Sequence, residues 1–176
     1  MSYFATYGPY EIPRSGGKIN GRQSDFWRGI EELPDSEGIS TAIGCYLFCI
    51  RHGEKIRPWY VGMTRAKLGF RGEIFQEHKQ NIYNDCLKKQ TGRPVIFLFP
   101  LITDGSDRFS KAASSKRREI EWLEIQLMGF AHRRNPNISN VRDMSFLRNI
   151  EVLGLIGRRR GRPFREAQLI RKALLV

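Results

Sequence analysis

At 176 residues, with 40% hydrophobic and 27% charged side chains, the chain has material for one well-buried core with decorations. It is too short for two ordinary domains and too apolar for intrinsic disorder. Lys and Arg number 30 against 18 Asp and Glu, a formal charge of +12 that favours a polyanionic partner, because neutralising phosphates releases their condensed counterions.

Residues 1–42 read as an N-terminal arm followed by a short helix. Residues 1–23 are rich in Gly, Pro, Ser and Tyr without periodicity, as in an extended arm or loop. In SDFWRGIEEL, Ser24 or Asp25 can cap a helix whose apolar side is Phe26, Ile30 and Leu33, and PDSEGIS ends it. From Ile43, IGCYLFCIR and PWYVGM are two aromatic and β-branched runs around the turn-like HGEKIR, which predicts a β-hairpin. Alternation puts Tyr46 on one face with Phe48 and Ile50, and turns Cys45, Leu47 and Cys49 to the other.

Residues from about 71 to 89 have helical spacing, with Ile74, Phe75, His78, Ile82 and Cys86 along one side. PVIFLFPLI, residues 94–102, is a buried-strand candidate that Pro100 should end or place at an edge. TDGSDRFSK is a polar loop. A strong helix follows over about 116–131, with Ile120, Leu123, Leu127 and Phe130 on its buried side. Residues 142–176 form a basic extension with two amphipathic helices, SFLRNIEVLGLI and FREAQLIRKALL. Between them lies GRRRGRP, where Arg160 and Arg162 flank Gly161 in a short match to the arginine-rich cores that enter narrow minor grooves.

The expected fold class is α+β, a small central three-stranded sheet flanked by helices. Cys45, Cys49 and Cys86 contain no Cys-x-x-Cys pair and are odd in number, which argues against a zinc knuckle or a disulfide framework and fits a reducing cytosol. The N-terminus lacks a basic stretch followed by an apolar one, and no apolar run nears the ~20 residues a bilayer needs. A soluble, cytoplasmic protein is expected.

Four side chains stand out chemically. At about 100° per residue Glu124 falls roughly 40° from Ile120, inside the apolar arc that Leu127 and Ala131 share, and a carboxylate aimed at a core needs a basic partner or a metal ion. Tyr46 and Tyr60, on adjacent strands, carry phenols whose ionised form is favoured by nearby Mg²⁺ or guanidinium. Arg71, near a helix start, offers a planar donor fork suited to a phosphate, so Arg71→Lys should lose much of any activity that depends on it.

The ordered set is more specific than its parts. Gly44-Cys45-Tyr46, Tyr60-Val61-Gly62, a helical Arg71, then Glu124 followed by Leu127, Met128 and Asn137 resembles the GIY-YIG nucleases over roughly residues 43–141. That resemblance implies a metal-dependent endonuclease that cuts phosphodiesters, on DNA more than RNA. It implies Mg²⁺ or Mn²⁺ held by Glu124, water activated by Tyr46 or Tyr60, charge neutralised by Arg71, and an asparagine at Asn137 or Asn140, with Asn137 preferred. Phe75 departs from the family, because many members carry His or Tyr four residues after the arginine. His78, seven residues on and on about the same helical face, is the substitute candidate. Gly62, Lys79, Tyr83, Asn137, Arg160 and Arg162 are candidate nucleic-acid contacts. A catalytically silent nucleic-acid-binding protein of the same fold is the alternative, motivated by Phe75.

Overall fold

The structure is a computed structural model that describes residues 2–21, 23–103, 108–112, 117–140 and 168–169. In chain order the elements are β1 (Ser2–Phe4), β2 (Tyr7–Glu11), α1 (Ser24–Glu31), β3 (Gly44–His52), β4 (Lys55–Thr64), α2 (Gly69–Glu73), α3 (Glu77–Lys89), β5 (Arg93–Thr103), β6 (Arg108–Phe109) and α4 (Arg117–Arg134). All of them lie in the first of two compact units, Met1–Ser139 and Asn140–Val176. Apart from Gln168 and Leu169, which are helical, the two C-terminal helices expected over residues 144–176, with Arg160 and Arg162, fall outside the described residues.

The α+β class holds, but the sheet has six strands rather than three. The expected three are neighbours in the antiparallel order β5-β3-β4, with β4 at one edge and Tyr46 opposite Gly62 and Leu98. The additional strands come from segments read as arm and loop. β1 and β2 both pair with β5, Ser2 lying opposite Thr103 and Glu11 opposite Val95, and β6 adds a two-residue rung at Ile102 and Thr103. Neither arm segment has the apolar periodicity of a strand; each is held by backbone bonds to a partner more than 80 residues away.

The β3–β4 hairpin forms as expected and is longer than its apolar runs. His52 pairs with Lys55, so the turn shrinks to Gly53-Glu54, with Gly53 at φ 57°. One bulge interrupts it, because Cys49 pairs with Pro58 while Phe48 pairs with Tyr60, leaving Trp59 extra. Pro100 neither ends β5 nor marks an edge. Leu101 donates to Ile43 on the β3 side, so Pro100 faces the other way, where residues 5 and 6 interrupt the pairing between β1 and β2. Its missing N–H therefore costs little.

Helices cover both faces of the sheet. On one face the core joins Phe26, Trp27 and Ile30 of α1, Phe70 of α2, and Tyr83 and Cys86 of α3 to Tyr46, Phe48 and Ile50. On the other, Ile120, Leu123 and Leu127 of α4 pack against Ile43, Cys45, Met63 and Phe99. The predicted alternation along β3 is thus realised. Two apolar assignments fail at the ends of their elements: Leu33 lies beyond α1 and is exposed, and Phe130 is 63% exposed while Met128 and Ala131 are buried. The α1 N-cap residue is Gln23 in left-handed conformation, with no side-chain cap from Ser24 or Asp25.

The single helix expected from Arg71 to Lys89 is two helices. Phe75 turns into an aromatic cluster, edge-on to Phe26 at 5.3 Å and to Trp27 at 5.9 Å. Gln76 is extended at ψ 146°, and its side chain donates to the Gly72 carbonyl. This break re-phases α3: Tyr83 and Cys86 face the core with Lys79 half-buried beside them, and His78 is exposed.

Candidate active site

Tyr46 and Tyr60 share one face of the hairpin, their ring centroids 6.2 Å apart. Tyr46 fits because position 62 is glycine: a Cβ there would run into the Tyr46 ring and hydroxyl. Gly62 therefore makes room for a phenol, and the contact with nucleic acid expected of it gives way to this packing role. α3 adds Tyr83, whose ring stacks on Phe48 at 4.3 Å and meets Tyr60 edge-on at 6.0 Å. Tyr83 is fully buried, so it is no surface contact for nucleic acid either.

The three phenols differ in access. Tyr46 and Tyr83 are 0% exposed, and Tyr60 is 8% exposed. Neither the Tyr46 nor the Tyr83 hydroxyl has a hydrogen-bond partner among the described residues. Burial above all, then the neighbouring phenols and the Glu73 carboxylate, hold the Tyr46 proton well above the usual phenol range. Burial and Tyr60 do the same for Tyr83. Of the three phenols only Tyr60 reaches solvent, so of the two expected tyrosines the geometry favours Tyr60 over Tyr46.

Tyr60 has a charged neighbour. Lys79 Nζ donates to the Tyr60 hydroxyl oxygen at 2.5 Å, lies 4.8 Å from the centre of the Tyr60 ring and sits 3.4 Å from Glu73 Oε1. The Lys79 and Glu73 side chains are only 12% and 20% exposed. Burial disfavours the ammonium, but the hydrogen bond and charge of Tyr60 and the Glu73 carboxylate outweigh it, leaving Lys79 above its ordinary range. The structure thus assembles phenol, ammonium and carboxylate at the edge of the sheet. Glu73 was missed in the sequence because a continuous helix gives it no inward direction; the break at Gln76 brings it to Lys79.

The other expected residues are placed elsewhere. Arg71 lies two residues before Glu73, roughly 200° round the helix. It is exposed and lines a cavity of about 690 Å³ with Trp27, Glu31 and Phe75. Glu124 is half-buried on α4, whose apolar stripe packs on the Cys45 face of β3, across the sheet from the Tyr46 face. Burial first, and then the charge of Glu124, push the Cys45 thiol up. The inward turn of Glu124 is therefore real, but the core it meets is the one without the phenols. His78 is exposed on α3, and Phe75 is a packing residue rather than a displaced catalytic one.

Asn137 is exposed, its backbone N–H held by Asn135 Oδ1, and Asn140 is buried. Fully buried Asn135 ties this segment to β4: its amide donates to the Pro58 carbonyl at 2.7 Å, and its oxygen accepts from Arg57 at 3.0 Å. No group of three or more His, Cys, Asp or Glu side chains comes together among the described residues. A hydrated Mg²⁺ needs only one or two carboxylates, and Glu73 fits that role on the phenol face, in competition with Lys79. Glu124 does not fit it for a phosphate placed at Tyr60.

No family model, curated protein or solved structure matches this chain.

Proposed function

We propose that the chain is an endonuclease of the GIY-YIG type, hydrolysing phosphodiesters in nucleic acid, DNA rather than RNA, from the corner formed by Tyr60, Lys79 and Glu73. The observation that carries this reading is the 2.5 Å hydrogen bond from Lys79 to the Tyr60 hydroxyl, on the second strand of a hairpin with the paired tyrosine motif. The +12 charge supports a polyanionic substrate.

In this reading Tyr60 first gives its own proton to solvent, and the phenolate oxygen then takes a proton from water as the water oxygen bonds to phosphorus and the opposite P–O bond breaks, the leaving oxygen taking up a proton from solvent. An ammonium held at a phenol oxygen stabilises the charge left when that phenol gives up its own proton. Glu73 keeps Lys79 aimed. Tyr46 and Tyr83 are positioning residues that wall Tyr60 on its buried side. A Mg²⁺ or Mn²⁺ ion, when bound, supplies Lewis-acid stabilisation of the phosphate oxygens. Arg71 is left as an exposed phosphate contact, and Glu124 has no part at the reacting corner.

Supercoiled plasmid nicking with Mg²⁺ and with Mn²⁺ tests this. Tyr60→Phe and Lys79→Met should each cut the rate by about 10²–10⁴-fold, the usual contribution of a general base, with nucleic-acid binding retained. Glu124→Gln should cut the rate far less. Undiminished cleavage by Tyr60→Phe, or loss only in Glu124→Gln, would sink the assignment. The separation of Arg71 and Glu124 from the phenols favours a second reading, a binding protein without catalysis. It predicts binding with no cleavage under either metal.

A further inference from the structure

Charge is distributed unevenly over the first unit. β3 ends, and β4 and β5 begin, at one end of the sheet, and exposed cations stand there on all three strands: Arg51, Lys55, Arg57 and Arg93. α4 ends beside them, because Asn135 bonds to Pro58 and Arg57, and this brings in the exposed Arg133 and Arg134. The carboxylates described on these segments are Glu54, in the turn, and Glu11, 3.5 Å from Arg93, so these six cations face two acids. The adjoining end of α3 adds Lys88 and Lys89 and one acid, Asp85, which pairs with Lys88 at 2.8 Å. At the other end of the sheet the signs balance: Asp35 and Glu37 lie near Arg108 and Lys111, and Arg65 pairs with Glu121.

Two features prepare this end for phosphate. Arg51 and Arg93 are directly opposite each other across β3 and β5, where like charges destabilise a sheet and a polyanion laid over them relieves the repulsion. Five of the six cations are arginines, whose planar forks match phosphate oxygens in pairs. Arg51 Nε donates to the Gly53 carbonyl at 3.0 Å, which leaves its two terminal nitrogens to donate elsewhere. Arg57 is oriented by Asn135 Oδ1 at 3.0 Å and by the Trp59 ring at 5.6 Å. We propose that this end of the sheet is a docking surface for the phosphate backbone of a nucleic-acid duplex, held through contacts that carry no base sequence. The proposal rests on the nucleic-acid reading of the chain and not on cleavage. Arg57 precedes Tyr60 by three residues on β4, roughly 10 Å at ~3.3 Å each, so a backbone docked here also runs close to the Tyr60 corner.

Fluorescence anisotropy of a labelled 20-base-pair duplex, titrated in EDTA at several salt concentrations, tests this. Arg133→Ala with Arg134→Ala, and separately Arg51→Ala with Arg93→Ala, should each flatten the log–log salt dependence by about two in slope. Arg108→Ala with Lys111→Ala removes the same charge from the other end of the sheet and should leave the slope of the parent chain. All six side chains are exposed, so thermal melts of the three variants should match the parent. Phe130, 63% exposed one turn before Arg134, is the side chain that a bilayer or a stacked single strand would engage, so Phe130→Ala should leave duplex affinity unchanged. Equal flattening by all three double substitutions would reduce the effect to net charge and overturn the proposal. So would a duplex that fails to bind, or tighter binding to phosphatidylserine vesicles or oligo(dT) that Phe130→Ala weakens. Selective flattening without nicking under either metal would uphold this surface while removing the nuclease; nicking with every slope unchanged would do the reverse.

Discussion

Tyr46 carries a hydroxyl that is buried and without a hydrogen-bond partner among the described residues, which makes its removal informative. Losing an unsatisfied polar atom sheds a desolvation cost, so Tyr46→Phe should leave stability at neutral pH within about 1 kcal/mol of the parent, or raise it. Its folded-state pKa is raised, so the stability linked to its proton is complete below the pH, ~10, at which unfolded phenols ionise. That stability drains as pH rises further, because the unfolded chain releases the proton and the folded one does not. Alkaline unfolding followed by circular dichroism should therefore move to higher pH in Tyr46→Phe; an unchanged midpoint would count against the burial of this phenol. Cys45, Cys49 and Cys86 are buried too, and desolvation pushes the Cys49 thiol up to about 12. Ellman's reagent should find no reactive thiol in the native unit and three after denaturation.

At the scale of elements, glycine positions and one asparagine fix the frame of the site. Gly62→Ala forces a methyl against the Tyr46 ring in a core already closed on that side, and should cost about 1–3 kcal/mol in urea melts. Tyr46→Phe in the same background should recover part of this, because Gly62 contacts include the hydroxyl. Asn135→Ala strands the buried Pro58 carbonyl and frees the segment after α4 from β4, a loss of about 1–3 kcal/mol. The break between α2 and α3 is anchored by Phe75. Phe75→Ala should cost about 3–5 kcal/mol, whereas a catalytic position would show lost activity with the fold retained.

For the molecule as a whole, charge sets the behaviour toward partners. With a formal charge of +12, binding to a nucleic-acid duplex should weaken linearly in log–log form as salt rises. Arg71 is exposed on α2, and Arg71→Ala should lower that slope by about one if it contacts a phosphate. A slope unaltered by Arg71→Ala would place the duplex on another surface.

The hairpin, its alternation and the α+β class were legible in the sequence because they rest on local periods and on a two-residue turn between neighbouring strands. The inward aim of Glu124 was legible for the same reason, since helical phase is a local property. Which core it entered was not: the choice of sheet face belongs to the packing of α4 on Cys45, 75 residues from Ile120, the residue that accepts its thiol hydrogen bond. The strands of the N-terminal arm were equally hidden, because Ser2 finds Thr103 through backbone bonds that leave no side-chain pattern. Lys79 and Glu73 met only because aromatic packing around Phe75 broke a helix that its own sequence would have continued. Local chemistry determined what each segment could be, and long-range burial decided which side chains share a site.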